Sequence, residues 1–237
     1  MAALNADPLR RGRTLKHDVA EALADELRAL GARRVLDIGC GGGMIAGQLV
    51  ARGFEVTGID PDAAQIDHAR RIAPAARFQA IGIEALPPEL GGFDAAIMVN
   101  SLHHVPGPAM QPALARALAA AGHLVICEPA AAGSFFRVMQ PVEDETAVRA
   151  EAVAAIEAVI AARGAELVDL KRWDRETRFD GLEAFVAYLM RADPERERLA
   201  QENRASLRRA WRENIELRDG QAVLTQPIIC WTLRRAP

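Results

Sequence analysis

The chain has 237 residues and half of them are apolar, which suffices for one large α/β domain with a sizeable core. A formal net charge of −3 and a pI near 6 argue against nucleic acid or an anionic membrane as partner. The chain has no apolar leader, no run of about 18 apolar residues and no metal-ligand spacing among its three cysteines, so we expect a soluble cytoplasmic protein with free thiols and no metal site.

Helix and strand patterns alternate along the first 130 residues. An apolar helical spacing over residues 15–30 predicts an N-terminal helix that ends at Gly31. Three further helices are predicted at 44–53, 61–73 and 108–120, with Pro61 in the first turn of the second. Five short strands are predicted at 33–39, 54–60, 77–82, 93–101 and 122–129. Because these strands are continuous apolar runs rather than alternating ones, we expect a parallel sheet covered by helices on both faces.

The rhythm changes after Pro129. The pattern predicts a helix, a strand, two helices and a final strand, at 142–163, 164–174, 181–190, 194–217 and 221–235. Pro227 cannot donate a hydrogen bond inside the last strand, so we expect a bulge or a strand boundary there.

The first strand ends in an acid and a glycine-rich turn, Asp37-x-Gly39-x-Gly41-x-Gly43. Glycine lets a ligand approach the backbone, and ligands of open α/β sheets bind at the carboxyl ends of strands. Gly41, Gly43 and Ala46 also satisfy a dinucleotide pattern, which leaves a nicotinamide-dependent oxidoreductase open. Asp37 would repel a pyrophosphate, however, and suits a ligand with an ammonium or sulfonium group.

This spacing closely resembles the first motif of class I S-adenosylmethionine-dependent methyltransferases. Asp60 follows the second strand, where the family carries a carboxylate for the ribose hydroxyls. Residues 80–87 resemble the segment that lines the adenine, although Gly82 replaces the aspartate of many members. Residues 93–105 resemble the fourth strand of small-molecule members, including ubiquinone and menaquinone methyltransferases.

The resemblance covers roughly residues 30–130 and implies a Rossmann-like, mostly parallel seven-stranded sheet with an antiparallel last strand. It divides a single domain, 1–237, into an N-terminal helix within 1–30, a cofactor-binding core at 31–130 and a helical lid at 180–218 between the last two strands. The implied cofactor is S-adenosylmethionine. The residues predicted to bind it are Asp37, Gly39, Cys40, Gly41, Gly43, Asp60, Pro61, Ile83, Glu84 and Asn100.

His103 and His104 follow the fourth strand, where substrate should lie, and a histidine pKa near 6.5 suits a catalytic base. The alternative is that they shape the pocket floor or cap the next segment. Glu128 ends the fifth strand and either faces substrate or has a structural role. His17 either closes over the cofactor or is an ordinary surface residue.

We expect a small-molecule methyl acceptor, with oxygen favoured as the methylated atom and carbon next. Helical spacing predicts that most aromatic and methionine residues of 133–139 and 185–190 belong to the core, and an apolar or aromatic acceptor would follow if some of them face the cleft. We expect no nucleic-acid or membrane partner, and a monomer or homodimer.

Three other functions remain open. A nicotinamide-dependent oxidoreductase would need a catalytic pair such as Tyr-Lys, yet the single tyrosine, Tyr188, is far from the first five strands. A non-catalytic S-adenosylmethionine-binding protein would keep the same site. A methyltransferase acting on RNA or protein is disfavoured by the acidic charge balance.

Overall fold

The computed structural model describes residues 19–87, 90–190, 193 and 195–236. The start of the predicted N-terminal helix and His17 therefore lie outside the described residues. None of the helices in the described part of the chain is both long and apolar enough to cross a membrane.

The strands form one eight-stranded sheet. They are β1 Arg34–Ile38, β2 Glu55–Ile59, β3 Arg77–Gln79, β4 Ala95–Val99, β5 His123–Pro129, β6 Ala165–Phe179, β7 Glu216–Arg218 and β8 Gln221–Arg235. The helices are α1 Val19–Ala29, α2 Met44–Val50, α3 Ala63–Ile72, α4 Gly107–Ala121, α5 Gly133–Met139, α6 Thr146–Ala161, α7 Leu182–Met190, α8 Arg196–Glu202 and α9 Arg204–Asn214.

The strand order is β3-β2-β1-β4-β5-β8-β6, with β7 added to β8. The first five strands run parallel, and β8 is antiparallel to both β5 and β6. This confirms the predicted mostly parallel sheet, to which β7 adds a short eighth strand. The strand order reverses between β1 and β4, so the turns that follow these two strands flank one crevice at the carboxyl edge.

Each face of the sheet buries its own apolar cluster, which explains the continuous apolar strands. Leu36 and Ile38 of β1 pack on the face that carries α4 and α6. Val35 packs on the face that carries α1, α2 and α3. Since successive side chains of a strand alternate, Asp37 shares the face of Val35.

The second half of the chain departs from the predicted elements in three places. The predicted helix 194–217 is two helices that meet at Asn203, whose side-chain amide donates to the carbonyl of Leu199 and so ends α8, and its last residues belong to β7. Helix α5 was not predicted. Strand β6 extends to Phe179 rather than 174, because it pairs with β8 over its whole length.

The prediction of a bulge or strand boundary at Pro227 was wrong for the pairing of β8 with β6. The β6–β8 register runs unbroken through Pro227, and its irregularity lies between Leu167 and Asp169 instead. Pairing of β8 with β5 does end at Ile228. Gln226 Nε2 and Arg149 Nη1 donate to the carbonyl of Ala130, beside the proline that has no N–H to offer.

Beyond that point the paired β6 and β8 continue past the carboxyl end of β5. Helices α5, α7, α8 and α9 pack against this extension around a separate apolar cluster. Four of the aromatic and methionine residues predicted to be core are buried here, namely Phe135, Phe136, Met139 and Phe185. The helices of 180–218 therefore stand above the edge of the sheet that carries the glycine turn.

Candidate active site

The glycine turn after β1 takes backbone conformations that favour glycine. Gly39, Gly41 and Gly43 have φ of +70°, +48° and +78°. A Cβ at Gly39 would lie 2.6 Å from Cβ of Ser101, and one at Gly43 would lie 2.7 Å from Cβ of Ala69. The turn therefore packs closely against the loop after β4 on one side and against α3 on the other, and side chains at these two positions would not fit.

Asp37 is a buried carboxylate at the end of β1, with only 2% of its surface exposed. Its Oδ2 has no hydrogen-bond partner among the described residues. Burial, and then the charge of Asp60, raise the pKa of Asp37 from 3.8 to about 7. A buried acid without a donor is costly, and a cationic ligand group beside it would supply both the donor and the charge.

Asp60 holds the turn in place from the end of β2. Its Oδ2 accepts a hydrogen bond from the backbone N–H of Gly41 at 2.9 Å, and its Oδ1 accepts one from Asp62 at 2.9 Å. Each carboxylate oxygen keeps acceptor capacity for a ligand hydroxyl. The placement of Pro61 in the first turn of a helix was wrong, because Asp62 caps α3 by accepting from the N–H groups of Ala64 and Gln65.

The structure places the other predicted cofactor residues in different environments. Ile83 is buried in a short 3₁₀ turn, and the Glu84 carboxylate folds into the space that a side chain at Gly82 would fill. The N–H of Cys40 is used by the carbonyl of Ile59, and burial raises the pKa of its thiol. Asn100 is exposed, with φ of +54°, and its N–H donates to the carbonyl of Cys127.

Glu128 organises the loop that follows β4. Its Oε1 accepts from the N–H groups of Ser101 at 3.0 Å and Leu102 at 2.8 Å, and its Oε2 pairs with Nδ1 of His103. Ser101 Oγ donates to the carbonyl of Ile38 at 2.8 Å and so ties this loop to β1. Both oxygens of Glu128 are thus engaged by the protein, which favours the structural alternative for this residue.

A buried ionic network continues from His103 toward the helical segment. Nε2 of His103 lies 3.9 Å from Oε2 of Glu145, which also accepts from Nε of Arg149 at 2.9 Å. Arg196, at the start of α8, reaches the other oxygen of Glu145 at 3.4 Å and binds Glu143 through Nε at 2.6 Å. One chain of charged contacts therefore joins the loop after β4 to the helices above the crevice.

The structure places the two predicted catalytic histidines in different environments. His103 is 4% exposed and its ring lies between Glu128 and Glu145, whereas His104 is exposed. The ring centroids are 4.1 Å apart, so His104 rests on a partner that is itself fixed. Partial desolvation, and then the neighbouring His103, lower the pKa of His104 from 6.5, so its ring is neutral at pH 7 and able to accept a proton.

Sequence reasoning found the residues at the ends of the strands and missed those that support them. Ser101, Glu145, Arg149 and Arg196 were not singled out, although all four bear on the loop that carries His103. The last three are charged residues in segments whose sequence is typical of a solvent-exposed surface. Only their burial, at 6%, 7% and 8% exposure, distinguishes them from surface charges.

Comparisons with known proteins agree with this arrangement. Residues 35–122 match the family model described as a methyltransferase domain. A ubiquinone biosynthesis O-methyltransferase of Alkalilimnicola ehrlichii is 36% identical over 119 residues, which cover 46% of this chain and 48% of that protein. The chain thus spans less than half the length of the curated relatives it matches.

Two solved structures extend the likeness in fold to nearly the whole chain. The YcgJ protein of Bacillus subtilis has a TM-score of 0.62 at 20% identity, over 92% of this chain and 99% of its own. A putative methyltransferase of Bacillus halodurans has a TM-score of 0.60 at 20% identity, over 91% and 98%.

The match to the family model begins in β1 and ends after α4, so it covers the glycine turn, Asp60 and the His103–His104 loop. Residues 35–122 are therefore similar to a methyltransferase domain, in agreement with the resemblance to class I S-adenosylmethionine-dependent methyltransferases found over residues 30–130. In the part that aligns, the chain is similar to ubiquinone biosynthesis O-methyltransferases.

Proposed function

We propose that the protein transfers a methyl group from S-adenosylmethionine to an oxygen atom of a small-molecule acceptor. The observation that carries the proposal is the buried carboxylate of Asp37, whose Oδ2 has no donor within the described part of the chain and which lies beside a turn where side chains at Gly39 and Gly43 would not fit. The aligned relatives named ubiquinone biosynthesis O-methyltransferase support oxygen as the acceptor atom.

The residues of the crevice fit the cofactor group by group. Asp37 offers a negative charge to an ammonium, and Asp60 offers two acceptors to ribose hydroxyls. The glycine turn, which contains Cys40, would expose backbone to a closely packed ligand, and Pro61 follows Asp60 after β2. Ile83, Glu84 and Asn100 line the other side of the crevice. When bound, S-adenosylmethionine supplies a methyl group on a positively charged sulfur.

His104 acts as the general base that takes the proton from the acceptor hydroxyl. Its lowered pKa keeps the ring neutral at pH 7, and its exposed side is open to the crevice edge. His103 is a positioning residue, because Glu128 holds its Nδ1 and its ring supports that of His104. The helices of 180–218 act as a lid that excludes water from the acceptor, and Arg196 ties them to the site through Glu145.

Methylation at carbon remains the second candidate for the acceptor atom. The same neutral base would serve it, since an activated carbon acid also loses a proton. A non-catalytic protein would bind the cofactor in the same way, so turnover has to be measured separately from binding.

Calorimetric titration with S-adenosylmethionine, S-adenosylhomocysteine and NADH tests the cofactor assignment. We expect micromolar binding of the first two and none of the third, whereas binding of NADH alone would support an oxidoreductase. Asp60→Ala should weaken S-adenosylhomocysteine binding by about 1.5–3 kcal/mol, the range for hydrogen bonds to a charged group. Asp67→Ala is the matched control, because Asp67 is an exposed acid of α3 that pairs with Arg70 on the surface.

Turnover is then measured with a panel of small phenols and enols as acceptors. His104→Gln should lower kcat by about 10²- to 10⁴-fold while leaving S-adenosylhomocysteine affinity unchanged. A protein that binds the cofactor tightly yet methylates no member of the panel would favour the non-catalytic alternative.

A further inference from the structure

Three buried polar groups of β6 and β8 have no hydrogen-bond partner among the described residues. They are Nε1 of Trp173, Nε of Arg175 and Oε1 of Gln226. Trp173 and Gln226 are 4% and 1% exposed, so water reaches neither side chain freely. Buried polar groups are normally paired, and a group of three unpaired ones points to a missing partner.

The three side chains form one cluster, which we call the polar triad. Arg175 and Gln226 face each other directly in the β6–β8 register, where opposed Cβ atoms are about 5 Å apart. Trp173 lies two residues before Arg175 and therefore on the same face of the sheet. Two N–H donors and one carbonyl acceptor thus share a single patch.

The polar triad lies at the edge of the sheet that carries the proposed active site. Pairing of β5 with β8 ends at Pro129 and Ile228, so Gln226 stands just beyond the carboxyl end of β5. Its Nε2 donates to the carbonyls of Ala130 and Ala132 in the segment that follows β5. The triad shares the sheet face of Asp37, since Trp173 and Ile228 pack in the same cluster as Val35.

Arg175 is held in place without being neutralised. Its guanidinium lies 5.8 Å from the ring centroid of Phe135, which fixes it by a cation–π contact. Within the described ranges no carboxylate pairs with it, whereas the buried Arg149 and Arg196 are both paired with Glu145. The acids that flank Arg175 in the sequence project to the opposite face of the strand.

The chemistry of the triad selects among ligand groups. One fixed cation with a second N–H donor suits a planar monoanion, whose two oxygens can accept one hydrogen bond each. The carbonyl of Gln226 accepts only from a donor and would disfavour a second negative charge, as on a phosphate. A carboxylate with a neighbouring hydroxyl or protonated oxygen meets all three requirements.

We propose that Trp173, Arg175 and Gln226 bind a carboxylate group of the methyl acceptor. Trp173 Nε1 and Arg175 Nε donate to the carboxylate oxygens, and Gln226 Oε1 accepts from an adjacent hydroxyl. The inference rests on the proposed function, because it assigns the substrate class of that same site. It makes the acceptor a small hydroxylated carboxylic acid rather than a neutral molecule.

The test compares two probes that differ only in charge, 3,4-dihydroxybenzoate and 3,4-dihydroxybenzamide. Each is titrated calorimetrically into the full chain saturated with S-adenosylhomocysteine. We expect the benzoate to bind at least tenfold more tightly than the benzamide. Arg175→Gln should bring this ratio close to one, and Trp173→Phe should lower it several-fold. Arg178→Gln is the matched control, since Arg178 is an exposed arginine of the same strand whose partner is Asp219, and it should leave the ratio unchanged.

The inference would be overturned by equal binding of the two probes, by binding of neither, or by an unchanged ratio in Arg175→Gln. Ordered water would then be the partner of the three polar groups. If Arg175→Gln fails to fold, judged by its thermal transition, Trp173→Phe decides the matter, because it removes one N–H while keeping an aromatic ring. Failure of the proposed function has a different signature, in which S-adenosylhomocysteine itself does not bind. The probe ratio is then measured without it, and its dependence on Arg175 still decides the inference.

Discussion

The buried carboxylate of Asp37 should make the ligand-free protein less stable as the pH rises. The pKa of this group is about 7 in the folded chain and 3.8 in the unfolded one, because folding buries it near Asp60. Between these values the folded state holds a proton that the unfolded state has released, so the free energy of unfolding falls as the pH increases from about 4 to about 7. A tenfold change in proton affinity corresponds to about 1.4 kcal/mol, so the full loss above pH 7 is about 4 kcal/mol.

Asp37→Asn removes this titration while keeping the shape of the side chain. Urea unfolding of the ligand-free protein at pH 5 and pH 8.5 should show the variant more stable than the wild type at pH 8.5, by up to about 4 kcal/mol, and much closer to it at pH 5. The same variant should bind S-adenosylhomocysteine more weakly, since the negative charge that would meet an ammonium is gone. Stability and cofactor affinity should therefore change in opposite directions.

Asp94→Asn provides a control of opposite sign. The N–H groups of Arg34 and Arg33 lower the pKa of Asp94, so its carboxylate stabilises the fold at pH 8.5 and loses this effect as the pH falls through its folded-state pKa. Asn at this position should destabilise the protein at pH 8.5. If Asp37→Asn shifted stability equally at both pH values, or lowered it at pH 8.5, the assignment of Asp37 as an uncompensated buried acid would be refuted.

Three further predictions concern the loops around the crevice. Gly39→Ala should reduce both stability and cofactor affinity more than Gly41→Ala in paired denaturation and calorimetric measurements, because only at Gly39 would a Cβ collide with Ser101, although both residues have positive φ. Glu128→Gln should destabilise the fold by about 3–5 kcal/mol in urea, since it removes one partner of a buried pair, and a loss under 1 kcal/mol would contradict that role. In the wild type, kcat/KM should decrease on the acid side with a midpoint below pH 6.5, because the pKa of His104 is lowered from that value. This acid-side decrease should be absent from the pH profile of His104→Gln.

The sequence alone determined the part of the fold that depends on local patterns. Apolar runs separated by glycine and helix signals predicted all five parallel strands, and they fall close to their observed positions. The crevice was also predictable, because Asp37, the glycine turn and Asp60 follow successive parallel strands whose carboxyl ends meet at one edge. Chain position was sufficient for these residues, since each occupies the end of a strand.

Contacts between segments that are distant in the sequence decided the remaining features of the candidate site. Neighbouring residues His103 and His104 look equivalent in the sequence, and only the approach of Glu128 and Glu145 distinguishes the buried His103 from the exposed His104. Helices α7, α8 and α9 are remote from this loop in the sequence, and a buried Arg196 links α8 to it only once the chain has folded.

The same reason explains the second half of the sheet and the polar triad. Pro227 predicts a break when only its own strand is considered, yet β8 continues because β6 pairs with it on one side while the partner on the other side ends. Trp173 and Gln226 are more than fifty residues apart and come together only through that pairing. Local sequence determines which backbone conformation each segment prefers, whereas burial, charge pairing and unpaired polar atoms depend on which remote segments the fold brings into contact.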